Sequence, residues 1–168
     1  FILNFINYEM DDIKNGNEIK ILNIESRLVS DFPINDIDVY TKIKGKVDRI
    51  DEYNGTLRII DYKTGIVEPR DLEIGDWGDL TLDYKYSKVI QVLSYAFMAN
   101  KTASYENIEA GIISFKRLKK GFIKFTQKGK PKQTNITQEI LDRYSIELKK
   151  LILEISNKEI PFKEKDVE

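Results

Sequence analysis

Apolar residues recur at helical spacing where the chain opens, at Phe1, Ile2, Phe5, Ile6, Met10 and Ile13, and predict a short amphipathic helix ending near Asn15-Gly16. The period then shortens to two. Glu18 to Leu28 reads as a strand, with Ile19, Ile21 and the Ile24 neighbourhood apolar between polar residues, and Asp31 to Asp38 as a loop containing Pro33. Two further strands, Val39 to Tyr53 and Thr56 to Lys63, flank Asn54-Gly55, the favoured dipeptide of a two-residue type I′ hairpin turn. Gly65 to Asp83 carries Pro69, Gly75, Gly78 and many acids, and is longer than ordinary connections, so it predicts a functional, mobile or partly disordered loop. Tyr86 to Asn100 is a helix burying Val89, Val92, Leu93, Ala96 and Phe97. Ile108 to Phe115 and Phe122 to Phe125 form a second pair of strands joined through Lys119-Lys-Gly121. Asn135 or Thr137 then caps a helix to about Ser156, with Ile140, Leu141, Tyr144, Leu148, Leu151 and Ile152 inward. Helix, three strands, helix, two strands, helix is the order of an α/β chain with a mixed central β-sheet flanked by helices.

The hairpin brings chemistry together. If Tyr53 faces Thr56 across the turn, Asp48 falls opposite Asp61 in a non-hydrogen-bonded pair, with Cα atoms ~4.5 Å apart. Lys63 follows Asp61 on the same face, because side chains on a strand alternate. Like charges directly opposite destabilise a sheet, so the pair calls for a compensating cation, and a divalent metal is the obvious one. Asp51 faces Arg58 on the other side of the hairpin and reads as an ordinary cross-strand ion pair, worth roughly a few tenths of a kcal/mol. Arg49 reads as a structural or phosphate-touching residue.

Composition narrows the chemistry. The 168 residues are 41% hydrophobic, enough for one domain with a real core. Phe1 in place of an initiator Met suggests a fragment of a longer polypeptide, and no targeting or membrane segment is visible. Without cysteine the chain has no disulfide or thiolate metal site, which fits a cytoplasmic protein. Without histidine as well, any metal must be held by oxygen, which suits Mg²⁺ or Mn²⁺ and excludes the usual zinc chemistry. Net charge is only −1, yet eight Lys/Arg and no acid lie between Lys116 and Lys132, while six acids against one arginine lie between Glu68 and Asp83. The basic stretch is either a solvated hairpin or a strip that tracks phosphates, with Lys116, Arg117, Lys119 and Lys120 as its candidate DNA contacts.

Hydrolysing a phosphodiester takes a metal that polarises the phosphoryl group, an activated water and a positive charge near the transition state. Asp48 and Asp61 have the chemistry to hold the ion, with the backbone carbonyl of Tyr62 as a possible extra ligand. Lys63 has three roles open to it: orienting the water, lowering its pKa, or stabilising developing charge. Gln91 and Tyr95, four apart, share one helical face. Read alone, they are a solvated glutamine and a partly buried tyrosine.

Gly45-Lys-Val-Asp-Arg-Ile-Asp51, Ile60-Asp-Tyr-Lys-Thr-Gly65 and Gln91-Val-Leu-Ser-Tyr95 together resemble the signature of the PD-(D/E)XK nuclease superfamily, in its RecB-type branch at the C-terminal ends of helicase-nuclease subunits such as RecB, AddA and AddB. Asp48 matches the first motif, Asp61 and Lys63 the second, and Gln91 with Tyr95 the Gln-x-x-x-Tyr motif. Glu25 stands on the strand where the family often places a glutamate. Many RecB-type nucleases carry an upstream histidine, and some carry four cysteines for an iron-sulfur cluster; this chain has neither. The resemblance implies a restriction-endonuclease-like fold and catalytic roles for Asp48, Asp61, Lys63, Gln91 and Tyr95. It also implies a Mg²⁺-dependent deoxyribonuclease that leaves 5′-phosphate and 3′-hydroxyl ends, acts in recombination and double-strand break repair, and is partnered by a helicase. Two alternatives stay open: a non-catalytic nuclease-like module that binds DNA or scaffolds a helicase complex, and a restriction-type endonuclease.

Overall fold

The computed structural model describes residues 2–34, 40–100, 105–129 and 131–162. Helix α1 (Ile2–Lys14) is followed by strands β1 (Ile19–Asp31), β2 (Lys42–Tyr53) and β3 (Thr56–Lys63), then by a short β4 (Glu73–Ile74) and helix α2 (Ser87–Asn100). Strands β5 (Ile108–Ser114), β6 (Phe122–Lys124) and β7 (Thr126–Gln127) lead to α3 (Gln138–Ser156). Five strands form one mixed sheet in the order β1-β2-β3-β5-β6, and β4 with β7 forms a small second sheet. Strands β3 and β5 are parallel, joined through α2, while every other pair in the large sheet is antiparallel. The predicted mixed sheet flanked by helices is therefore present. Val39, the second half of the Pro33 loop (35–38) and Lys130 lie outside the described residues.

The hairpin turn forms as its dipeptide requires. Asn54 and Gly55 both take positive φ, 48° and 82°, the conformation of both central residues in a type I′ turn. Asn54 also ties the turn to the start of β1, its side-chain oxygen accepting from the Glu18 amide at 2.8 Å. The pairing runs from Tyr53↔Thr56 to Arg49↔Ile60 in the predicted register. Central position makes β3 apolar: Leu57, Ile59 and Ile60 are all buried. Helix α2 lies over one face, with Val89, Val92, Leu93 and Ala96 buried as its pattern predicts. Thr137, rather than Asn135, caps α3, while Asn135 accepts from the Ile108 amide.

Three expectations are corrected. Gly65 to Asp83 is an ordered strap. It winds through short 3₁₀ turns at Pro69–Leu72 and Trp77–Asp79, ends at Asp83 as the cap of a third at Tyr84–Tyr86, and buries Val67, Leu72, Ile74, Trp77 and Leu80. Its acids have local work: Asp71, Asp76 and Asp83 accept backbone amide hydrogens at the three turns, and Glu73 pairs with Lys128 and Lys132. The Asp51–Arg58 pair is a buried, bidentate one, with both bonds at 2.8 Å. Helix α1 turns its apolar stripe outward: Ile2 is 74% exposed and Ile13 54%. Phe5, Tyr8, Glu9 and Asp12 face the sheet instead. The cause is the surface beneath, where Arg49, Tyr53 and Tyr62 need polar and aromatic partners.

Candidate active site

At the carboxyl end of β3, Asp61 is 4% exposed and stands between two side chains. Lys63 brings its ammonium to 2.7 Å from Oδ2. The amide of Gln91, on α2, donates to Oδ1 at 3.1 Å and also to the Tyr95 hydroxyl at 3.1 Å. The helical spacing of four is what lets one glutamine join the strand carboxylate to Tyr95. Asp48 lies close by on β2. Its Oδ2 accepts from the Tyr62 backbone amide at 2.7 Å, so the carboxylate grips β3 two residues past Ile60, the paired ladder ending at Arg49↔Ile60.

Burial holds the Asp61 carboxyl above the usual carboxylate range; Lys63 pulls it down and neighbouring Asp48 pushes it up. The Lys63 ammonium is the partner of the buried Asp61 Oδ2. Gly45 lets α2 settle against β2: a Cβ there would stand 2.8 Å from Met98 Cε and 2.9 Å from Tyr95 Cε1.

The opposite side of the same strands carries a charged network, of which sequence reasoning found the Asp51–Arg58 pair and a structural or phosphate-touching Arg49 but not Glu9 or Tyr62. Arg49, 4% exposed, donates to Glu9 of α1 at 2.5 Å and to the Tyr62 hydroxyl at 3.3 Å, and its other terminal nitrogen lies 2.6 Å from Asp51. Burial works against its charge, but Asp51, Tyr62 and Glu9 outweigh that and raise the guanidinium's pKa. Tyr62 stacks on Phe115, ring centroids 5.5 Å apart, and Phe5 of α1 meets both rings edge-on. The available signal was alternation: Tyr62, between Asp61 and Lys63, has to point away from them. Its partner Glu9 is forty residues from Arg49 in sequence and carries no local mark.

The basic stretch divides. Arg117 pairs with Glu68, Lys124 with Glu109, and Lys128 and Lys132 with Glu73. The remaining cations among the described residues, Lys116, Lys119 and Lys120, are exposed on a 3₁₀ turn, Phe115–Lys120. That turn begins just past Ser114, which pairs with Lys63 across the parallel strands.

Among the described residues no three carboxylates converge as a ready-made metal cage. The donor set of Asp48, Asp61 and backbone oxygen fits a hard cation that keeps several of its waters, as Mg²⁺ does.

A mixed sheet presenting two strand carboxylates, a lysine and a helix glutamine is the arrangement of a phosphodiester-cleaving class of proteins. The chain matches the PD-(D/E)XK nuclease superfamily over residues 5–166 and belongs to it, and its fold is accordingly restriction-endonuclease-like. No curated protein matches. Among solved structures the chain is similar to the crystal structure of SSO0001, with 16% identity and a TM-score of 0.39 over 94% of this chain and 59% of that one. The chain thus spans less than two thirds of that relative's length.

Proposed function

We propose that the chain is a metal-dependent DNA nuclease domain that hydrolyses phosphodiester bonds with Asp48, Asp61, Lys63, Gln91 and Tyr95. The observation that carries the reading is Asp61: a buried carboxylate shared between Lys63 and Gln91, beside a second carboxylate. Asp48 and Asp61 would hold the divalent ion, Mg²⁺ or Mn²⁺, with the Tyr62 carbonyl as a further oxygen. Bound there, the ion supplies Lewis-acid polarisation of the scissile phosphate and a more acidic water. Lys63, within reach of Asp61, places its positive charge where negative charge develops on the phosphoryl oxygens. Gln91 fixes the rotamer of Asp61 and links it to Tyr95, so that the carboxylate is preorganised before substrate arrives. The motif set, Asp48 through Tyr95, supports the RecB-type branch in particular. With that come exonucleolytic action beside a helicase domain or subunit, and a place in recombination and double-strand break repair. The unit itself is read as one nuclease domain, a fragment of a longer helicase-nuclease polypeptide at work in the cytoplasm.

The wild-type chain incubated with end-labelled DNA should cut it in Mg²⁺ or Mn²⁺, leave 5′-phosphate ends and stop in EDTA. Intact DNA, together with a metal-induced thermal shift that depends on the carboxylates, would instead establish the non-catalytic module.

A further inference from the structure

The turn Phe115–Lys120 and the first turn of α1 enclose a groove of about 410 Å³ that the reaction as described does not use. Lys116, Lys119 and Lys120 line it, together with Asn4 and Phe115. Arg117 lines it too but is paired with Glu68, whereas the three lysines have no acid on them among the described residues, and no acid is among the described lining residues. The opening turn of α1, which contributes Asn4, contains no acidic residue. Phe115 stacks on Tyr62 and meets Phe5 edge-on, and it is one of the residues that line the groove.

Cations alone would suit any polyanion. An aromatic ring set among them suits a strand whose bases are free to stack, because a duplex has already stacked its own. The groove lies at the same end of the sheet as the reacting centre but on the face to which Tyr62 points, opposite Asp61 and Lys63: Phe115 stacks on Tyr62, and Ser114, the residue before it, pairs with Lys63.

We infer that this groove binds an unpaired DNA strand that continues over the end of β3 to the Asp61–Lys63 centre, with phosphates on Lys116, Lys119 and Lys120 and a base against Phe115. The inference rests on the nuclease reading only in taking that strand as the substrate. Its test is binding, measured without cleavage.

Fluorescence anisotropy in EDTA compares three probes: an oligothymidylate, an abasic strand of equal length and a blunt duplex. The oligothymidylate should bind about tenfold more tightly than the abasic strand, the scale of one stacked base, and more tightly than the duplex. Replacing all three lysines by glutamine should lower the salt-dependence slope for the oligothymidylate by about 2, at roughly 0.7 per phosphate contact on a single strand. Equal affinity for all three probes would overturn the inference, and so would an unchanged slope in the triple variant, whose exposed positions leave folding intact. If the predicted binding were found in a protein that never cuts DNA in Mg²⁺, the groove would stand and the nuclease reading would fall.

Discussion

At residue scale the site is organised around the cost of burying the Asp61 charge. Burial raises its pKa above the ordinary 3.8 despite Lys63, so the folded state binds the proton more tightly than the unfolded chain does. The stabilisation from protonation is complete below the unfolded value and is lost as pH rises through the folded value. Asp61→Asn, which removes the charge, should therefore raise Tm at pH 7, and the gain should vanish near pH 3, where both forms are neutral. Equal Tm values at pH 7, or an undiminished gain at pH 3, would contradict this. Strand alternation was sufficient to put Asp61 and Lys63 on one face, whereas Gln91 and Tyr95 entered the site through the family resemblance, since the helical repeat of four gave them only a shared face and not the bond to Asp61. The grip of Asp48 on the Tyr62 amide was not legible, because register alone does not say where a paired ladder gives way to a side-chain acceptor.

At the scale of elements, α1 and the hairpin are joined by ions under cover. Asp51 is fully buried between Arg58 and Arg49, so Asp51→Ala strands two guanidinium groups away from water. Removing one partner of a buried pair costs about 3–5 kcal/mol, which should appear as a large fall in the urea midpoint. Glu9→Ala should cost less, because Glu9 is partly exposed. A midpoint for Asp51→Ala within experimental error of wild type would refute the network. Close packing makes another point vulnerable: a Cβ on Gly111 would lie 2.1 Å from the Ile123 carbonyl oxygen of neighbouring β6. Backbone cannot yield as a side chain does, so Gly111→Ala should destabilise by at least the ~1–3 kcal/mol usual for overpacking. The two elements misread from sequence share one cause. In α1 and in the strap from Gly65 to Asp83, polar residues serve as partners for groups distant in sequence, as Glu9 and Glu73 do, or as local turn caps, as Asp76 does, and local pattern assigns such residues to solvent.

For the molecule as a whole, the order of helices and strands was legible, because each long element carries an unbroken period. The parallel β3–β5 pairing follows from the α2 crossover between them. The small β4–β7 sheet was not legible, since two-residue strands have no period to read. No described helix is long and apolar enough to cross a membrane. A divalent ion that binds only the folded state should raise the stability of the whole chain, by about 2.7 kcal/mol at a hundredfold excess over Kd. A thermal melt in Mn²⁺ should show that rise in wild type and lose it in Asp61→Ala. The central claim, that Asp61 and Lys63 belong to one phosphodiester-cleaving centre, meets its most direct test in Mg²⁺-dependent cleavage of labelled DNA by wild type, Asp61→Ala and Lys63→Ala, with circular dichroism confirming the fold of each. The account predicts cutting by wild type and none by either folded variant; unchanged cutting by both variants would contradict it.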